Sequence, residues 1–202
     1  MKLIFIGAQA SGKGTQAKII SEKLGIKHIS TGDLLRSATG GLKKEIESYT
    51  TKGNLVPDEL IFKLLKEKIK DLDGFILDGF PRNLKQVEML NGVSKIDKII
   101  EIKISDSEAV RRISGRRSCP SCGRIYNIYA SPVPIEKNLC DDCDVELVQR
   151  ADDTEAAAKK RLEIYHNETE PILKKYPSVK INGEQEIREV SREIEKAVRD
   201  SI

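Results

Sequence analysis

The segment Gly7-Ala8-Gln9-Ala10-Ser11-Gly12-Lys13-Gly14-Thr15 follows directly on the apolar run Leu3-Ile4-Phe5-Ile6. Four apolar residues closed by glycine predict a buried strand. Lys13 to Leu24, with Ala17, Ile19, Ile20 and Leu24 apolar, predicts a helix. A glycine-rich turn between strand and helix, with lysine at the helix start, forms a phosphate cradle. Unpaired N–H groups at the helix N-terminus point at the anion, and the helix dipole favours negative charge there. Lys13 adds a full positive charge that can reach the outer phosphates of a nucleotide. The simpler alternative, a glycine turn beside a surface lysine, leaves the strand, loop and helix context unexplained.

Strand and helix signals alternate along the 202 residues. Gly74 to Asp78, Lys98 to Ile104, Val179 to Ile181 and Ile26 to Ile29 read as further strands. Leu60, Ile61, Leu64, Leu65 and Ile69 share one helical face, and Ile187, Val190, Ile194 and Val198 share another. Ser105 with Glu108 has the form of a capping box. Such alternation predicts an α/β fold: a parallel sheet covered by helices on both sides. Two stretches interrupt it. Residues 30–59 are helical and polar; residues 115–153 hold three of the seven prolines and all four cysteines, with little helical pattern. The expected division is a core of 1–29, 60–114 and 154–202, with inserts at 30–59 and 115–153.

A net charge of +3, aromatic content of 4 % and no Trp give little support to a nucleic-acid or membrane role. No signal-peptide pattern and no apolar run of roughly 20 residues is present, so the expected location is the cytoplasm.

Cys119-Pro-Ser-Cys122-Gly123 and Cys140-Asp-Asp-Cys143 are two C-x-x-C pairs separated by seventeen residues. Each pair can wrap a tight turn, and together they offer four thiolates in the tetrahedral arrangement that Zn²⁺ takes. Four thiolates leave no open position, so such a metal would be structural. Free thiols, disulfides or another ion such as Fe²⁺ are the alternatives. An insert of this size buries too little apolar surface to hold itself rigid, and a metal would supply the stiffness.

Arginine forks suit a reaction that crowds phosphate oxygens together. Arg36 lies in the first insert, Arg82 follows a strand, Arg112, Arg116 and Arg117 enter the second insert, and Arg150 and Arg161 follow it. In Leu77-Asp78-Gly79-Phe80-Pro81-Arg82, Asp78 ends a central strand where open α/β sheets bind ligands, and its carboxylate can hold the hydration shell of Mg²⁺.

Taken in order, these motifs resemble the adenylate kinases: Gly7 to Thr15, Ser30-Thr31-Gly32-Asp33-Leu34-Leu35-Arg36, Asp78 to Arg82, Gly115-Arg116-Arg117, Asp152-Asp153 and Arg161-Leu162. The cysteine-bearing insert resembles the zinc-containing lid of one branch of that family. The resemblance implies the P-loop nucleoside monophosphate kinase fold and the Mg²⁺-assisted reaction ATP + AMP ⇌ 2 ADP, performed by a monomer. It implies that Lys13 bridges the transferring phosphates, with Ala10, Ser11, Gly12, Gly14 and Thr15 as cradle. Arg112, Arg116, Ile125, Tyr126, Gly183 and Gln185 would complete the ATP site. Thr31, Arg36, Asn54, Leu55, Val56, Gly79, Phe80, Pro81, Arg82 and Gln86 would hold AMP. Gln86 lies one helical turn after Arg82, and its amide can pair with adenine because it both donates and accepts. Arg150 and Arg161 would swing onto the phosphates between the nucleotides, joining Lys13, Arg82 and Arg116 in catalysis. Asp152 and Asp153 read either as lid hinge or as helix N-caps.

Two departures stand out. Gln9-Ala10 replaces the family's usual Pro-Gly, and the Cβ of Ala10 would disfavour a left-handed backbone by about 1 kcal/mol. The first insert is also somewhat shorter than in many bacterial relatives. Competing readings are a kinase with a UMP or CMP acceptor or a GTP donor, and a zinc-ribbon binding module with the cradle as switch. The acidic Asp141, Asp142, Asp144 and Glu146 around the second cysteine pair argue against the last.

Overall fold

The computed structural model describes residues 1–51 and 54–199. Lys52 and Gly53 of the first expected insert, and the last three residues of the core segment, lie outside the described residues. Five strands form one parallel sheet in the order β2-β3-β1-β4-β7, built from β1 (Lys2–Ile6), β2 (Lys27–Ser30), β3 (Phe75–Asp78), β4 (Lys98–Lys103) and β7 (Ser178–Asn182). The sheet is parallel because helices run between its strands, chiefly α1 (Lys13–Leu24), α4 (Asp58–Ile69), α5 (Leu84–Asn91) and α6 (Asp106–Gly115).

Alternation along the strands divides the core in two. Ile4, Ile6, Ile29, Phe75, Leu77 and Ile99 face α4 and α5 through Ile61, Leu65, Ile69, Val87 and Leu90. Leu3, Phe5, Ile76, Ile100, Ile102 and Ile181 face α1 and the terminal α9 (Ile187–Arg199) through Ala17, Ile20, Val190, Ile194 and Val198. The first insert holds α2 (Thr31–Arg36) and α3 (Gly40–Thr50), and its Leu35, Ile46 and Val56 join the α4 side of the core. The second carries an antiparallel pair, β5 (Arg116–Ser118) and β6 (Ile125–Asn127), and a separate small core of Cys119, Tyr126, Cys140 and Leu147. The chain returns through α7 (Glu155–Ile164), a π-helical turn at Tyr165–Thr169 and α8 (Glu170–Lys175). No helix among the described residues is long and apolar enough to cross a membrane.

Two sequence expectations are corrected. The Ser105/Glu108 capping box closes by half: Ser105 Oγ accepts from the Glu108 N–H, but the Ser105 N–H donates to Glu184 Oε1 at 2.7 Å. The Glu108 carboxylate is drawn instead to Arg111 and Arg112. Nor do Asp152 and Asp153 cap a helix; Thr154 caps α7, accepting from the Ala157 N–H.

Gly7 joins β1 to the cradle where the loop presses on β4. A Cβ there would sit 2.3 Å from the Ile102 carbonyl oxygen and 2.7 Å from Ser11 Oγ. Gly7→Ala is therefore expected to destabilise the protein by about 1–3 kcal/mol, read as a lowered denaturant midpoint.

Candidate active site

The cradle is shaped by backbone. Gly12 caps α1 from a left-handed conformation, φ 97°, and no side chain covers the first N–H groups of the helix. Ala10 is left-handed as well, φ 59°, so the loop demands the geometry its Cβ disfavours. Lys13 bends back over the loop, donating to the carbonyls of Gly7 and Ala8, both at 2.8 Å. A third ammonium proton is left for an anion. Burial pushes the Lys13 pKa down to about 8; Asp78 opposes this, and Arg82 and Arg116 reinforce it.

Asp78 closes β3 opposite the start of α1, its Oδ2 3.2 Å from where a Cβ on Gly14 would lie. Burial works against its charge, yet His28, Lys13 and Arg82 outweigh burial and hold its pKa below the usual carboxylate value. His28 Nε2 stands 3.8 Å from Asp78 Oδ2, within reach of its charge but beyond hydrogen bonding, and has no hydrogen-bond partner among the described residues. A negative, partly enclosed oxygen beside the phosphate cradle suits a hydrated divalent cation.

The arginines converge from four parts of the chain. Arg82 is pinned three ways: its Nε donates to the Gly79 carbonyl at 2.8 Å, its N–H to Gln86 Oε1 at 2.7 Å, and its carbonyl accepts from Thr169 Oγ1 at 2.7 Å. Arg116 grips the buried Asp153 with two prongs, Nε to Oδ2 at 2.7 Å and Nη2 to Oδ1. Arg161 donates to Asp152 Oδ2 at 2.5 Å and to the Thr50 carbonyl at 3.3 Å, spanning from α7 to the end of α3. Arg150 makes no side-chain hydrogen bond among the described residues, and burial, then Arg116 and Arg36, push its pKa down to about 10. Arg82 is also lowered, by burial first, with Arg161 and Arg36 adding to it. Arg36, bound among the described residues to the exposed Asp33, completes the set. Six cations, Lys13 included, thus stand against Asp33, Asp78, Asp152 and Asp153, a surplus of positive charge. The cavity among them is lined by Gly7, Lys13, Gly79, Arg82 and Arg161, with Leu55 and Tyr165 as apolar walls.

On the acceptor side, Thr31 is buried and donates to the Asp78 carbonyl at 3.2 Å. Gly79 is left-handed, φ 82°, and a Cβ there would strike Thr31 Oγ1 at 2.7 Å. Val56, Phe80 and Pro81 are buried, and Asn54 donates its N–H to the Tyr49 carbonyl at 3.1 Å. Gln86 is 1 % exposed, its amide held between the Arg82 N–H and Asp58.

On the donor side, Arg112 donates to Glu108 Oε1 at 2.6 Å and to the Gly183 carbonyl at 3.0 Å. Arg111 and Arg112 together pull the Glu108 pKa down to about 2. A Cβ on Gly183 would lie 3.0 Å from the Ser11 carbonyl, so its absence lets the turn after β7 abut the cradle. Gln185 donates to the Asn182 carbonyl and to Glu193. The Tyr126 ring does not reach the cavity. It is wholly buried in the lid, where its oxygen accepts from the Asp141 N–H at 2.9 Å and lies 3.5 Å from Cys140 Sγ. Neighbouring Ile125 is half-buried. Thr50, Asp58, Tyr165 and Thr169 were not signalled by local sequence; each reaches the site through a contact distant along the chain.

The four sulfurs of Cys119, Cys122, Cys140 and Cys143 lie within 4.8 Å of one another. A zinc tetrathiolate, with Zn–S about 2.3 Å, requires sulfur separations of about 3.8 Å, so the cluster fits the ion. The two turns match: Gly123 N–H donates to the Cys119 carbonyl and Asp144 N–H to the Cys140 carbonyl, with φ 73° and 55°. Although burial favours the thiol, the Tyr126 hydroxyl and the N–H groups of Asp142 and Cys143 bring the Cys140 pKa down to about 6. The cluster is compatible with zinc.

Lys13 loses its charge as pH rises through its folded value of about 8, below the ordinary 10.5. The affinity of the empty site for tripolyphosphate should therefore weaken above pH about 8, and Lys13→Met should abolish that step in a calorimetric pH series.

Comparison with known proteins agrees with this geometry. Residues 5–181 match the family described as adenylate kinase. The chain is 43 % identical to an adenylate kinase of Methanocella arvoryzae, the match covering 98 % of this chain and 99 % of that one. It is 42 % identical to one of Caldicellulosiruptor saccharolyticus, covering 98 % and 99 %, and 43 % identical to one of Archaeoglobus fulgidus, covering 96 % of each. Sheet, cradle and converging arginines thus occur in a chain that belongs to the adenylate kinase family.

Proposed function

We propose the following division of labour among the residues for ATP + AMP ⇌ 2 ADP, the reaction of an adenylate kinase. The observation that carries it is the gathering of cations at one cavity, lined by Lys13, Arg82 and Arg161, where the pKa values of Lys13 and Arg82 are lowered. The phosphates of two nucleotides meeting end to end would supply the balancing negative charge. Ser11, Gly12, Gly14 and Thr15 would present amides to the ATP phosphates, and Lys13 would follow the phosphoryl group as it moves. Arg112, with the turn at Gly183 and Gln185, would hold the adenosine end of ATP. Thr31, Arg36, Gly79, Arg82 and the backbone at Asn54 to Val56 would seat AMP, with Gln86 at its base.

The acceptor phosphate is already ionised, so no general base is needed. Catalysis would rest on positioning and on cations preorganised for the charge of the transition state. Arg116 and Arg161 would exchange their aspartates for phosphate oxygens, and Arg150 would join them, as the second insert closes and excludes water. Mg²⁺, bound with ATP, neutralises phosphate oxygens; Asp78 would hold its water shell. The 30–59 insert would close over AMP, and the 115–153 insert, held by Zn²⁺ at the four cysteines, would act as a lid with its own core. Four cysteines that form no disulfide would suit the reducing cytoplasm, the proposed location. The enzyme would act as a monomer, as the family resemblance implies.

With ADP as sole nucleotide, ATP and AMP should appear in equal amounts; appearance of neither would refute the assignment. Lys13→Met should lower kcat by about 10³-fold or more with an unchanged circular dichroism spectrum. Stripping the metal from the cysteines should lower Tm more than it lowers the initial rate at moderate temperature, with zinc content following the Tm loss.

A further inference from the structure

The side chain of Gln86 is almost wholly buried on the acceptor side, and only half of its hydrogen-bonding capacity is used by the described residues. Oε1 accepts from the Arg82 N–H at 2.7 Å, and Nε2 donates to Asp58 Oδ1 at 2.7 Å. An amide has two N–H groups and two carbonyl lone pairs, so one of each is left over. The two ends of an amide are nearly equal in size. A half-turn about the last bond would exchange donor for acceptor without a steric penalty.

Asp58 forbids that half-turn. It is the first residue of α4, where the helix N-terminus favours a negative charge, and Lys85 Nζ lies 3.9 Å from its other oxygen. An ionised carboxylate only accepts hydrogen bonds. Asn83 is fixed to the same oxygen: its Nδ2 donates to Asp58 Oδ1 at 3.1 Å while its Oδ1 caps α5 at the Gln86 N–H. A turned Gln86 would press Oε1 against the carboxylate and its NH₂ against the Arg82 N–H. At 1 % exposure no solvent would relieve either clash.

We propose that Asp58 is a specificity-determining positioning residue: by fixing which end of the Gln86 amide donates, it makes the acceptor site accept a 6-aminopurine monophosphate and refuse a 6-oxopurine one. The inference rests on the reading that Gln86 faces the base of AMP. The spare N–H can donate to N1 of a 6-aminopurine, and the spare lone pair can accept from its amino group. A 6-oxopurine carries N1–H and O6, the reverse pattern, so donor would meet donor and acceptor would meet acceptor. Only an amide free to turn could serve both. A site whose enclosed polar groups are mispaired by the wrong substrate rejects it by large factors.

The test compares kcat/KM for AMP and IMP at saturating ATP in the intact enzyme and in Asp58→Asn, Asp58→Ala and Gln86→Ala, each checked by thermal melting. Asp58→Asn keeps the shape and loses the obligatory acceptor, and Asp58→Ala removes it. Both should lower the AMP:IMP selectivity by about tenfold, through a raised KM for AMP and a gain for IMP, with the KM for ATP unchanged. Gln86→Ala should lower the same ratio at least as far. A loss of selectivity in Gln86→Ala with less than about a threefold change in the Asp58 variants would overturn the lock and leave Asp58 a structural residue. An unchanged ratio in Gln86→Ala would instead overturn the reading of Gln86 itself, and the proposal with it.

Discussion

Positive charge gathered in excess of its carboxylate partners is the constraint around which the rest of this protein is arranged. Burial, with Arg82 and Arg116 beside it, lowers the Lys13 pKa, and burial with Arg116 and Arg36 does the same to Arg150. An arrangement of this kind spends stability that packing elsewhere must supply. The supply is the double core of the sheet, whose central strands β1, β3 and β4 are buried on both faces. Rigid strands end at Ile6 and Asp78, and from those ends the cradle and the Asp78 carboxylate project at fixed positions.

Glycines decide how closely these parts meet. At Gly7 the cradle touches β4, at Gly79 the strand end touches Thr31, and at Gly183 the last strand touches the cradle. Each contact leaves no room for a side chain. Ala10 is the exception, holding a left-handed turn in spite of its Cβ.

What repeats locally was legible in the sequence. The apolar runs gave the five strands, Lys13 to Leu24 is a helix with the expected ends, and the paired cysteines meet at one point. What depends on partners far along the chain was not. Glu108 has the spacing of a capping-box partner, but Arg111 and Arg112 compete for it and Glu184 takes its place. Tyr126 is expected with Ile125 at the nucleotide, yet its ring fills the small core at the cysteines. Thr169 reaches the Arg82 carbonyl from the end of the π turn that follows α7, which no periodicity announces. Asp58 reads as an ordinary acidic helix start, and its bond to Gln86 spans 28 positions.

Asp152 and Asp153 are neighbours whose carboxylates hold arginines from different places, Arg161 in α7 and Arg116 where the chain enters the cysteine-bearing segment. The two crossings into and out of that segment are consequently tied to each other through adjacent residues. On the proposed reading, a swing of the segment would have to turn about both crossings together. An anion that drew Arg116 and Arg161 away together would untie both fastenings at once, and would couple arrival of the substrate to freedom of the arm above it.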